Sequence, residues 1–139
     1  MTTDQKILTR PLARYAHTRR VGNLVFIAGQ GARDPHTDLY RGLTVDGAGR
    51  PTGYDIGEMT RGVIANMERA LAAEGLGLGD LVDVTVFLTS MRDFEAMNTI
   101  WNEMFEAHTA PTRTTVAVAE LPGWNHVEMK GIAAAPRES

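Results

Sequence analysis

Apolar and polar residues begin to alternate regularly only after a polar opening. Residues 1–13 read as a lead-in, with at most a short strand around Ile7 and Leu8. Ala16–Arg20 and Asn23–Ala28 follow as two strand-like runs joined through Val21 and Gly22. In the second run Val25 and Ile27 alternate with Leu24 and Phe26, so both faces are apolar and both are expected to be covered. Residues 29–53, rich in Gly and broken by Pro35 and Pro51, read as one long loop. Asp55 then opens a helix as its N-cap, with Glu58 in the capping-box position. Ile56, Met59, Thr60, Val63, Met67 and Leu71 recur at helical spacing, and Gly75 supplies a left-handed stop. Leu81–Thr89 reads as a strand with Val82, Val84, Val86 and Leu88 on one face. A second helix is expected from Ser90, capped with Asp93, burying Phe94, Met97, Trp101, Met104, Phe105 and His108, and closed by Pro111. Two strands end the pattern. In Thr112–Ala119, Val116 and Val118 are expected to face the core and Arg113, Thr115 and Ala117 the other side. His126–Ala133 places His126, Glu128 and Lys130 together on one face. Helices and strands in this order predict an α+β layer, two helices on one sheet, whose second face needs a partner.

Length and composition narrow the classes. The 139 residues fit a single domain, 1–139, with 43% hydrophobic and 22% charged residues, an ordinary globular balance. With no cysteine there is no disulfide scaffold, thiolate nucleophile or thiolate metal site. The net charge is −3 and no basic run exceeds Arg19–Arg20, whereas nucleic-acid binding draws most of its affinity from phosphate neutralisation. No nucleic acid partner is expected. No leader-type apolar segment opens the chain, and nothing approaches the ~20 apolar residues that span a bilayer, so no membrane association and a cytoplasmic location are expected.

Few residues suggest chemistry, and each has two readings. Arg113, among Thr112, Thr114 and Thr115, offers a planar fork matched to a carboxylate, or else a surface ion pair on an edge strand. Glu128, between His126 and Lys130, could hold and polarise a water, or belong to a solvated strand face. Asn98 interrupts the apolar stripe of the second helix, either to tie down a loop or to touch a substrate. Tyr15 is a packing aromatic or a ligand-orienting hydroxyl. The histidines lack metal-ligand spacing, Asp34–Asp38 lacks the period of a calcium loop, and Gly29-Gln30-Gly31 is too short for a dinucleotide fingerprint, so no metal is expected.

Four segments together resemble the RidA (YjgF) family of enamine/imine deaminases. They are Gly22–Gln30; Asn66 with Leu71; Asp83–Leu88 through Met91, Asp93, Phe94 and Asn98; and Pro111-Thr112-Arg113 with Leu121-Pro122, Val127–Lys130 and Ile132-Ala133. The resemblance implies a RidA/YjgF-like, chorismate-mutase-like fold: a mixed β-sheet with two helices on one face, assembled as a homotrimeric barrel with active sites between subunits. It implies Arg113 as the carboxylate-binding residue, Glu128 as the water-orienting one, and Asn98 and Tyr15 as further catalytic positions. Ala28 stands where the archetype has serine, and Thr115 where many members have cysteine; both alter the pocket wall. The Arg14–Gly22 opening and the Pro111–Val116 stretch resemble the branch that deaminates 2-aminomuconate during aromatic-ring degradation. That substrate has a distal carboxylate, for which Arg19, Arg20, Arg33 and Lys130 are the candidate anchors.

The implied reaction is hydrolysis of a small-molecule imine carboxylate to ammonia and a 2-oxo acid. It needs no cofactor, because the substrate carries its own electrophile. The alternatives are a general 2-aminoacrylate deaminase and a non-catalytic trimer that binds 2-oxo acids as a regulator.

Overall fold

Two long alternating runs, Leu81–Leu88 and Val127–Ala134, form the middle of a sheet that a computed structural model describes over residues 8–10 and 13–136. Strands β1 (Thr18–Val21) and β2 (Leu24–Gln30) form a hairpin at Gly22, whose φ of +61° suits a residue without a Cβ. A smaller hairpin, β3 (Leu43–Val45) and β4 (Pro51–Tyr54), leads into helix α1 (Ile56–Ala73). Then come β5 (Leu81–Leu88), α2 (Phe94–Phe105), β6 (Thr112–Ala117) and β7 (Val127–Ala134). The five-stranded sheet runs β1-β2-β7-β5-β6, antiparallel except for the β5–β6 pair, which α2 connects as a crossover. This is the α+β, chorismate-mutase-like arrangement with both helices on one face.

The core lies between that face and the helices. Val25, Ile27, Val84, Val86, Leu88, Val127 and Met129 meet Met59, Val63, Ile64 and Met67 of α1 and Met97 and Trp101 of α2. Asp55 caps α1 by accepting from the Glu58 N–H at 3.1 Å. Gly75, with φ of +74°, ends the helix, as its position in the sequence predicts. On the other face Leu24, Phe26 and Val116 stay exposed, so none of the described residues covers it.

Several expectations are corrected. The run 29–53 is not all loop, because it contains β3 and the start of β4. Ser90 caps a 3₁₀ turn, Met91–Asp93, and α2 begins only at Phe94. Asp93 does not close a capping box; its carboxylate accepts from the Tyr54 hydroxyl at 2.9 Å. His108 is exposed. Val82 is 47% exposed because a register irregularity between Leu81 and Asp83 turns it off the core face. His126 leaves the Glu128–Lys130 row: its ring stacks on Tyr54 at 3.7 Å, and its Nδ1 meets the Thr89 hydroxyl at 2.9 Å. The proposed strand at Ile7–Leu8 falls partly outside the described residues, and Leu8 lies in no strand. No helix among the described residues is long and apolar enough to cross a membrane.

The faces of β6 are the main correction. Arg113 pairs with Val84 and Thr115 with Val86, both of which are buried under the helices. Parallel partners share a face, so Arg113 and Thr115 lie on the helix side and Val116 on the open side.

Candidate active site

Two groups of polar side chains stand apart on this scaffold. The first gathers under α2. Phe94, Asn98, Trp101 and Phe105 recur at helical spacing, and the Arg113 guanidinium carbon lies 4.9 Å from the Trp101 ring centroid and 5.7 Å from that of Phe94. An aromatic face attracts a planar cation without neutralising it. No carboxylate among the described residues pairs with Arg113, and burial alone lowers its proton affinity from the ordinary arginine level. Asn98 Oδ1 and Thr115 Oγ1 are buried without a hydrogen-bond partner among the described residues. Such orphans are uncommon and call for an explanation. Here a fixed cation, an amide oxygen and a hydroxyl belong to one corner, each with unused bonding capacity.

The second group surrounds a cavity of about 440 Å³ where β2 ends. Tyr15, Ala28, Gly29, Arg33 and Glu128 border it. Glu128 points from β7 toward the Gly29 backbone, where an added Cβ would stand 2.5 Å from its Oε2. Glycine at 29 is what gives the carboxylate its room. Burial raises the Glu128 pKa above the ordinary glutamate value, which keeps a larger neutral fraction than an exposed carboxyl would hold. Tyr15 is about half exposed, with its ring edge-on to His17 at 6.3 Å between centroids.

The remaining candidates divide between sites. Arg33 borders the Glu128 cavity, but Asp38 Oδ1 takes its Nη1 at 3.1 Å and the Arg10 carbonyl its Nη2 at 2.9 Å. Arg19 and Lys130 line a second cavity of about 480 Å³ on the open sheet face, with Phe26, Asp83 and Thr85. Arg20 is exposed, and its Nε donates to the Gly22 carbonyl at 3.0 Å. Ala16 and Ala28 border both cavities. Arg113 and Glu128 do not meet within one chain: they occupy opposite sheet faces on strands separated by β5.

A family model described as Endoribonuclease L-PSP matches residues 6–135. The chain belongs to this RidA/YjgF/TdcF family. A RutC family protein of Pyrococcus abyssi is 38% identical over 89% of this chain and 88% of its own length. A protein of Dermatophagoides farinae named 2-iminobutanoate/2-iminopropanoate deaminase is 32% identical over 88% of this chain and 87% of its own. The crystal structure of Escherichia coli TdcF with bound serine superposes with a TM-score of 0.80 at 28% identity, covering 96% and 97% of the two chains.

Family membership leaves several cavity-lining residues that sequence reasoning passed over. Thr9, Arg10, His17, Tyr40, Pro122 and Asn125 all border the Glu128 cavity. Asn125 has a visible reason to be there: its Oδ1 accepts from the Ala32 N–H at 2.8 Å and its amide donates to Pro122 at 3.1 Å, fixing the loop before β7. Asn66 likewise donates to the Gly31 and Arg33 carbonyls at 2.8 Å each. A buried amide in an apolar stripe was the available signal for Asn66; Asn125 is fixed in part by the Ala32 N–H, far away in sequence, and His17 by the Gln30 side chain and the Thr9 carbonyl.

Proposed function

We propose that the chain is a hydrolytic deaminase of small 2-imino acids, the class of 2-iminopropanoate and 2-iminobutanoate. One observation carries the reading: Arg113 is held on two aromatic rings with no carboxylate among the described residues to neutralise it. A ligand carboxylate would supply the missing charge through a bidentate pair. The name of the Dermatophagoides farinae relative supports the same substrate class. In this reading Arg113 pins the carboxylate beside the C=N carbon, and Asn98 and Thr115 satisfy their orphaned oxygens on the substrate or a water. Glu128 orients the attacking water. Water adds to the C=N carbon, the carbinolamine collapses, and ammonia leaves a 2-oxo acid. Positioning of this kind can lower a barrier by several kcal/mol. Because the two groups face away from each other in one chain, the reading requires a second copy to bring a Glu128 cavity against an Arg113 corner, as in a trimer with sites between subunits.

Ammonia release from 2-iminobutanoate generated in the assay tests it. Arg113→Ala should lose about 3 kcal/mol of transition-state binding, on the order of a hundredfold in kcat/KM, and Arg113→Lys should restore little of it. Activity retained in Arg113→Ala ends the proposal.

A second reading, a longer dicarboxylate such as 2-aminomuconate, has one observation in its favour. Ala28 is a thin wall shared by the two cavities, and in the second one neither Arg19 nor Lys130 has a carboxylate partner among the described residues. A distal carboxylate crossing Ala28 would find two cations. Arg19→Ala and Lys130→Ala should then raise KM about tenfold for the dicarboxylate and leave the four-carbon imine unchanged; equal effects on both substrates would refute this version.

A further inference from the structure

One edge of the Glu128 cavity is not part of the sheet. Thr9 and Arg10 border it, and each is tied down through its backbone carbonyl, with the Thr9 hydroxyl also 3.5 Å from the His17 nitrogen that meets its carbonyl. His17 Nε2 meets the Thr9 carbonyl, and Arg33 Nη2 donates to the Arg10 carbonyl at 2.9 Å.

Both fastenings are themselves held from behind. Gln30, 3% exposed, donates from Nε2 to the Ala28 carbonyl at 3.0 Å, which fixes the orientation of its amide. The same nitrogen meets His17 Nδ1 at 3.0 Å, so Nδ1 must accept. The imidazole proton therefore sits on Nε2, the only tautomer of neutral histidine that can donate to Thr9. Arg33 is steadied by Asp38 at 3.1 Å. Asp38 adopts φ of +61° in a turn where the Asp34 carboxylate accepts from the His36 and Thr37 N–H groups at 2.7 and 3.1 Å. The Asp34–Asp38 segment thus presents a carboxylate to Arg33.

We propose that Thr9 and Arg10 form a strap along the cavity, fastened at two points by His17 and Arg33, and that the strap sets how tightly the cavity holds its ligand. His17 and Arg33 are positioning residues, acting through the strap. The proposal rests on the deaminase reading for its ligand, 2-oxobutanoate, the product of imine hydrolysis.

Two measurements on the full chain decide it. In calorimetry, His17→Ala and Arg33→Ala should each weaken 2-oxobutanoate binding about fivefold. The double variant should be no weaker than the poorer single, since releasing either end frees the strap. His17→Gln, whose carbonyl can accept from Gln30 while its amide donates to Thr9, should bind within twofold of the unaltered chain. In spin-label spectra, a nitroxide on Leu8→Cys, the sole cysteine in a chain that has none of its own, should become more mobile in either alanine variant. Multiplying losses in the double variant, unchanged binding, or weakened binding without greater label mobility overturns the proposal. Should the unaltered chain neither bind 2-oxobutanoate nor release ammonia, the deaminase reading falls, and the label comparison still decides whether the strap exists.

Discussion

Glu128 shows how much one missing side chain can matter. Its carboxyl reaches the cavity because Gly29 has no Cβ, and burial lifts its pKa above the usual glutamate range. The consequence for stability has a definite sign. As pH rises, the unfolded chain gives up this proton first, so ionisation works against the fold above the ordinary glutamate pKa, and the penalty levels off once pH passes the raised folded value. Glu128→Gln should therefore melt at a higher temperature than the unaltered chain near neutral pH, and at the same temperature below about pH 3.5, where both states are protonated. Thermal melts across that range check it. At this scale the sequence was half legible. Glu128 and Arg113 stand out as charges inside apolar strands. The side on which Arg113 lies was not legible, because in an edge strand of threonines and valines the arginine looks like the exposed residue. The rings of Phe94 and Trp101 reverse that expectation by giving a cation somewhere to lie beneath a helix. His17 was invisible as a functional residue, since its partners are a distant glutamine and a backbone carbonyl.

Among the elements, α1 was the most legible, because cap, apolar stripe and terminal glycine agree. Asp55→Ala should cost about 1 kcal/mol, a fall of a few degrees in Tm. The same change at Glu58 should cost less. Its backbone N–H meets the cap, but its carboxylate turns to Arg41 and Arg61, at 3.1 and 3.4 Å, in a surface network of modest worth. Melting the two variants side by side tests the ranking. The elements misread from sequence are those whose cause is tertiary. The β3–β4 hairpin carries few apolar residues and exists beside α1 partly because Tyr54 stacks on His126 and donates to Asp93. Asp93 reads as a helix cap in the sequence because Tyr54, its partner, lies 39 residues away. Val82 fits a perfect alternation until a bulge, set by pairing with β7, moves it outward.

For the whole molecule, the proposed reaction requires copies to share their sites, because Arg113 and Glu128 lie on opposite faces of the sheet. Complementation tests it. Arg113→Ala and Glu128→Ala chains, each inactive alone, are unfolded, mixed in equal amounts and refolded. About a quarter of the unaltered activity should return, the chance that a given cleft draws its arginine and its glutamate from two competent neighbours in a closed ring. No recovery would mean that both residues act within one chain, and activity in either variant alone would mean that its residue does not act. The need for a cover over the second face could be read from β2, where Leu24 and Phe26 alternate with Val25 and Ile27. Which surfaces meet could not, because strand order and the placement of α2 decide it.

That strand order also bears on how the chain reaches its fold. The central strand, β7, is the last of the described strands to leave the ribosome, and it joins β2, about a hundred residues earlier, to β5. Until residues 127–134 are available, the β1–β2 hairpin and the β5–α2–β6 unit have no strand between them, and the edges of β2 and β5 that pair with β7 stay open. Closing so large a loop is slow, and the waiting intermediate is prone to aggregate. A chain cut just before Val127 would lack the strand that joins β2 to β5 rather than be a nearly finished protein.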